Sequence, residues 1–576
     1  MKSLALLVVL LTLPLVYAGG GVDILHYDLQ VKLVPAGQSM GAVASLLIEV
    51  DAITDVELIL NKEMSVDEIT VGGKYVSFKH EGNILVFPMH QTGEVEVEVK
   101  YTNSKPLIRF GGLVVGYIGE PGEVSYMIYR AAWYPILFGD RATASVSIAV
   151  PNAYKAITVG ELVEVTDKGE FTEFLWRIED TVQGVSFAAG EYEERSSVVF
   201  ISDTARSYDG PHAWVAERGG IRLIEVSCYL NPRETYLAEN CVSGVERVLD
   251  FYSPRFGGYP YARFTVIEMP EFFFGGHGAM GLIMLHPSVL RDGSEELLAH
   301  EIAHTWWGAM VSVNKGYNLQ PLRIPLQGVE AGDANDLWLH EGLATYSSLL
   351  YLEQEHGRDT MIRSLKEKRQ EYLKVGAGTT ISTVEEDYTT GLYHATIYGK
   401  GAFVLHMLRS AMGDDAFYQV IETYLQEYKG KSASIEDFEG IVNGVQGEDM
   451  TWFFDEWIRG TTLPDYALEE VLVGKSSSGY EYITKIKISQ EGDLSKMPVD
   501  ITLYTEDGSR TKRILVDGHK EEVSFVTQAK PLYAELDKDY WILESKRSNN
   551  LYVINYPLSV RGIGMALRVV WNKFVN

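Results

Sequence analysis

The chain is predicted to be an α+β protein of several domains, on three observations. Apolar and polar residues alternate from about residue 22 to 200, helical periodicity takes over from about 234 to 457, and alternation returns after Pro464. Strand side chains point to opposite faces in turn, whereas a helix repeats every 3.6 residues, so the two periods report two kinds of layer. The expected order is an N-terminal antiparallel β-domain, a mainly helical domain and a small C-terminal β-sandwich.

The first 18 residues read as an address rather than as structure. Lys2 precedes a short apolar stretch over 4–16, and Val16-Tyr17-Ala18 stands before Gly19-Gly20-Gly21. A positive start, an apolar run too short to span a bilayer and a small residue at the cut describe a cleavable secretory signal. The protein is therefore expected to be secreted or held at the cell surface. No later apolar run reaches spanning length, so no integral membrane span is expected in the mature chain.

Residues 19–205 are assigned to the β-domain. Tyr27, Leu29, Val31 and Leu33 form one alternating face, Val95, Val97, Val99 and Tyr101 another, and Val146, Ile148 and Val150 a third. Residues 206–464 form the second domain: a strand at 221–229, then helices at 234–252, 294–308, 337–355, 359–374, 396–412 and 414–428. Ser434 with Asp437 three residues on has the form of a helix N-cap, and 452–457 close the domain. Residues 465–546 are read as the sandwich, from Ile486 with Ile488 and from Val499, Ile501 and Leu503, with a turn at 475–479. Residues 547–576 are left as a tail.

Composition narrows the function. The 576 residues are 46% hydrophobic and 22% charged, as in ordinary globular protein. A formal charge of −29 argues against a nucleic-acid partner, whose phosphates need basic surface. Two cysteines, Cys228 and Cys241, exclude a disulfide-rich scaffold and a cysteine-ligated zinc. One bridge or two separate buried thiols both fit their spacing.

The chemistry lies in the helical domain. His300-Glu301-Ile302-Ala303-His304 places two histidines four apart, on one face of a helix and aimed at one point. Neutral imidazoles suit zinc, and the intervening glutamate can reach a water there as general base. A catalytic zinc needs three protein ligands and one open position, and Glu341 on a second helical stretch can supply the third.

HEIAHTWWG at 300–308 followed by WLHEGLATY at 338–346 resembles the aminopeptidase N family of zinc metallopeptidases, the gluzincins. Further segments match in order: His26-Tyr27-Asp28-Leu29, RAAWYP at 130–135, FGGYPY at 256–261 and FFDEWIRGTTLP at 453–464. The resemblance implies a thermolysin-like catalytic domain, one Zn²⁺ per chain held by His300, His304 and Glu341, Glu301 as base, and a peptide or protein substrate. Tyr398-Gly399-Lys400-Gly401 is similar to the family's Tyr-x-Lys-Gly, which implies that the Tyr398 hydroxyl faces the developing oxyanion. Gly278-Ala279-Met280 resembles the start of the family's Gly-x-Met-Glu-Asn, which implies substrate binding by those residues.

Two departures qualify the expectation. Gly281 stands where the family's amine-binding glutamate is expected, with Glu268, Glu271, Glu330, Asp333 and Asp336 as candidate replacements, while His277 is a candidate substrate contact that as a cation would repel an α-ammonium. A Gly-, Pro- and Gln-rich insertion at 314–333 separates the ligands, and reads equally as a lid or as surface decoration. The expected function is a zinc metallopeptidase, aminopeptidase-like and acting on extracellular peptides. The alternatives are a peptidase that needs no free amine, and a metal-binding scaffold of weak activity.

Overall fold

The computed structural model describes residues 21–202, 220–313 and 336–554, apart from 104, 111, 138, 386, 388 and 493. The signal-like segment, the 314–333 insertion, and with it Glu330 and Asp333, lie outside the described residues.

The N-terminal domain is built on an eight-stranded sheet, with further three- and five-stranded sheets packed on it. Alternation becomes burial here: Leu29, Val31 and Leu33 lie inside, as do Val95, Val97 and Val99. One pairing departs from the antiparallel expectation. Val22–Val34 runs parallel to Ala142–Pro151, more than a hundred residues away. A period of two is the same for both pairings, so nothing local in the chain distinguishes them.

The second domain opens with a five-stranded sheet in the order Glu193–Ser202, Ile221–Leu230, Arg263–Glu268, Leu282–Leu285, Gly276–Ala279. Glu193–Ser202 pairs along its whole length with Ile221–Leu230. This strand, which the sequence reading places at the end of the first domain, thus adds to the sheet of the second. Gly276–Ala279 lies at one end of the sheet, with one side paired to Leu282–Leu285. Cys228 and Cys241 are bridged, tying the strand Ile221–Leu230 to the helix Ala238–Tyr252.

Helices Trp338–His356, Arg358–Val375, Gly401–Met412 and Asp414–Tyr428 pack behind the site. Ser434 caps Ile435–Gln446 reciprocally: its Oγ accepts from the Asp437 N–H at 3.1 Å, and its own N–H donates to Asp437 Oδ2 at 2.8 Å. The helix expected over 294–308 ends earlier, at Ala303. The chain turns there so that Trp306 and Trp307 enter the core. Gly308, at φ +122°, lies so close to His340 that a Cβ would come within 2.7 Å of its Nε2.

The C-terminal domain is two facing sheets, of three and four strands. Leu551–Val553, assigned to the tail from the sequence, adds to Pro531–Leu536 as the outermost strand of one of them. Among the described residues no helix is long and apolar enough to cross a membrane.

Candidate metal centre

The helix Glu295–Ala303 turns Leu298, Ala299, Ile302 and Ala303 into the core and His300, Glu301 and His304 toward a cavity of about 520 Å³. Trp338–His356 brings Glu341 to the same point. Glu341 Oε2 lies 3.5 Å from His300 Nε2 and 3.3 Å from His304 Nε2. No other group of three or more such donors gathers among the described residues.

This set fits zinc. Ligand bonds of about 2.0–2.2 Å at tetrahedral angles place donors about 3.3–3.6 Å apart, the spacing from Glu341 to each imidazole. Glu341 Oε2 is buried without a hydrogen-bonding partner of good geometry. Although burial opposes it, the Glu341 carboxylate raises His304 to about 9. Against the same burial penalty, His304 and His300 hold Glu341 well below the usual carboxylate range. A site of this kind attracts positive charge.

Hydrogen bonds behind the ligands set the tautomers. His304 Nδ1 lies 2.9 Å from the Trp307 carbonyl, which only accepts, so the proton sits on Nδ1 and leaves Nε2 free for a metal. Thr345 Oγ1 donates to the Glu341 carbonyl at 2.7 Å and lies 3.3 Å from His300 Nδ1, so its lone pair receives the imidazole proton. The Arg130 guanidinium stands 3.9 Å from Glu341 Oε1.

Glu301 is buried beside the ligands. Burial lifts it to about 7, with His304 and the Gly278 N–H pulling the other way. A buried carboxyl beside the ligand set is placed to exchange a proton with a water held there. Tyr398 lines the same cavity from a π-helical segment, Ala395–Lys400, where the sequence predicted a regular helix over 396–412. Six residues at wider pitch leave no mark in apolar periodicity, and such turns recur at functional sites.

Gly278, Ala279 and Met280 all line the cavity. Gly276 and Gly278 let the metal-ligand helix approach: a Cβ at 276 would meet Glu301 Oε1 at 2.3 Å, and one at 278 the Glu301 carbonyl at 2.6 Å. Met280 and Gly281 form the two-residue turn of the hairpin. Gly281, at φ +65°, has the Tyr259 hydroxyl and Arg263 carbonyl within about 3 Å of any Cβ, so a glutamate there has neither the backbone nor the room.

Among the described residues, none of the candidate replacements restores an anchor. Glu268 Oε2 accepts from the Asn231 N–H at 2.8 Å, and Glu271 pairs with Arg291 at the surface. Asp336 is buried and caps Ile435 at 2.8 Å. His277 does line the cavity, 3.0 Å from Ser186 Oγ, and burial with the Arg130 charge lowers it to about 3, so it is neutral. Among the described residues the cavity's carboxylates are Glu296, Glu301, Glu341 and Glu371, none on the hairpin. Sequence reasoning missed His394, which stacks on Tyr398; a histidine four residues before that tyrosine was the only available signal.

Such a centre, two histidines of one helix with a glutamate from the next, is of the gluzincin type. Residues 329–457 match the Peptidase family M1 domain. Aminopeptidase 2 of Candida albicans is 23% identical over 51% of this chain and 32% of its own length. Probable aminopeptidase 1 of Sulfurisphaera tokodaii is 21% identical over 82% of this chain and 57% of its own. The chain thus spans between about a third and three-fifths of these curated relatives. Among solved structures, aminopeptidase A of Legionella pneumophila, in complex with aspartic acid, superimposes with a TM-score of 0.72 at 16% identity, covering 94% of this chain and 60% of that one. An M1 zinc metallopeptidase of Deinococcus radiodurans gives 0.60 at 20% identity, covering 77% and 95%. The fold is similar to that of these M1 zinc metallopeptidase structures, and the segment that carries Glu341 matches the M1 domain.

Proposed function

We propose that the protein is a zinc-dependent metallopeptidase, aminopeptidase-like, acting on peptides outside the cytoplasm. The observation that carries the reading is the convergence of His300, His304 and Glu341 beside buried Glu301 in one cavity. The relatives' printed activities support the same reaction class. The signal-like N-terminus and the Cys228–Cys241 bridge support export to an oxidising compartment.

Bound by the three ligands, zinc would supply an acidified water and a polarised substrate carbonyl. A peptide extended along the open side of Gly276–Ala279 exchanges main-chain hydrogen bonds with it, as an added strand does. Glu301, steadied by the Gly278 N–H, takes a proton from the attacking water and returns it to the departing amine. The Tyr398 hydroxyl donates to the carbonyl oxygen as charge grows there. A scaffold without turnover has no use for such a base and phenol.

A second reading, cleavage without a free amine, is favoured by the tight turn at Met280-Gly281 and the absence of a carboxylate on that hairpin. One paired assay tests both. Zinc-loaded protein is offered a peptide library and its N-acetylated copy, with and without chelator. Chelator-sensitive cleavage lost on acetylation supports the aminopeptidase; cleavage indifferent to acetylation supports the second reading. If neither library is cut, the peptidase assignment is wrong.

A further inference from the structure

Tyr398 is held between two imidazoles. On the metal side its ring faces His300, with centroids 5.8 Å apart and planes at 25°. On the other side lies His394, at 4.7 Å and 21°. His394 is not buried core: its side chain is 53% exposed, and its Nδ1 is 3.1 Å from Glu371 Oε1 on the neighbouring helix Arg358–Val375. All four side chains line the one cavity. A tyrosine facing an open cleft can swing about χ1, and a phenol that must meet a growing charge loses its value when displaced by an ångström. The π-helical segment Ala395–Lys400 sets where the Cα stands, Tyr393 meets the ring edge-on at 6.4 Å, and the two imidazoles cover its faces.

We infer that His394, steadied by Glu371, is a positioning residue that clamps the Tyr398 ring against His300 and so fixes where its hydroxyl points. The inference rests on the peptidase reading and on Tyr398 acting in it. His394 touches neither substrate nor metal in this role; it acts through the tyrosine.

The test is a double-mutant cycle on the zinc-loaded full chain, using a peptide that the unmutated protein cleaves. Aromatic stacking of this kind corresponds to about 3- to 10-fold in rate. His394→Ala should lower kcat by that factor with KM unchanged within about twofold, and His394→Phe, which keeps the stacking face, should restore it. In a Tyr398→Phe background, itself slower by about 100-fold, His394→Ala should cost nothing more, because the hydroxyl it aims is gone. An equal further loss in that background, or a Phe variant as slow as Ala, overturns the inference. Unmutated kcat in Tyr398→Phe removes the tyrosine and the inference together, while a slow Glu301→Gln leaves the peptidase reading standing.

A readout without turnover guards against the case in which no cleaved peptide is found. Tetranitromethane nitrates accessible tyrosine rings, and peptide mapping reports residue 398 alone. Nitration there should be several-fold faster in His394→Ala than in the unmutated chain or His394→Phe; equal rates in all three would sink the clamp.

Discussion

Thr345 Oγ1 donates to the carbonyl of Glu341 and, 3.3 Å away, accepts from His300 Nδ1, so one hydroxyl on the second helix orients a ligand of the first. Thr345→Val keeps the shape and removes this link. Zinc affinity, read by competition with a chelating dye, should fall by about 10- to 100-fold. Unchanged affinity would show that packing alone orients His300.

Glu301 is adjacent to the ligands but is not one of them. Glu301→Gln should bind one zinc per chain and lose about 10²- to 10⁴-fold in kcat. Metal analysis of the same preparation separates this outcome from loss of the site. A variant turning over at the unmutated rate takes Glu301 out of the reaction.

The glycines of the edge strand predict a graded response. At Gly276 a new Cβ meets the end of the Glu301 side chain, which can move aside; at Gly278 it meets the helix backbone. Gly276→Ala should therefore impair turnover with little loss of stability. Gly278→Ala should lower stability by about 1–3 kcal/mol, from overpacking, measured by denaturant unfolding. The reverse order would mean that the helix gives way more easily than the carboxylate.

Glu268 predicts a pH dependence of stability apart from the metal site. Burial raises it to about 7 from an ordinary value of 4.5. Between those values the folded chain keeps a proton that the unfolded chain has released, so this residue's contribution falls as pH rises. Below 4.5 both states are protonated and above 7 both are ionised, so the cost is flat at either end, reaching roughly 2–3 kcal/mol at the alkaline side. Glu268→Gln should be more stable than the unmutated chain at pH 8 and indistinguishable from it at pH 4. A constant difference across that range would contradict the assignment.

The bridge between Cys228 and Cys241 closes a short loop, with a sequence separation of 13. Replacing both cysteines with alanine should cost about 3 kcal/mol, chiefly by freeing the unfolded chain. Thermal unfolding of the two forms, metal-loaded alike, checks this.

How much of this was legible in the sequence depended on how local the cause was. The spacing of His300 and His304 is set by one helical turn, and the cap at Ser434 by three residues, so both could be read directly. Glu341 lies on a different helix, and only the motif around it tied it to the histidines. The parallel pairing of Val22–Val34, the ownership of Glu193–Ser202 and the last strand, Leu551–Val553, depend on partners far along the chain. The bridge likewise needed the strand and helix carrying Cys228 and Cys241 to be docked before it could be told from two thiols. His394 was missed because a single histidine four residues before Tyr398 looks like any helix-surface residue until the cavity beside it is known.

The glycines at 276 and 278 bring the backbone of one strand against the helix that presents His300 and His304. A substrate main chain lying along that strand, as proposed, would be measured off in whole residues from a fixed origin. The position of the broken bond would be counted along the backbone before any side chain is consulted, so changes in the surrounding pockets can alter which peptides are accepted without moving where they are cut.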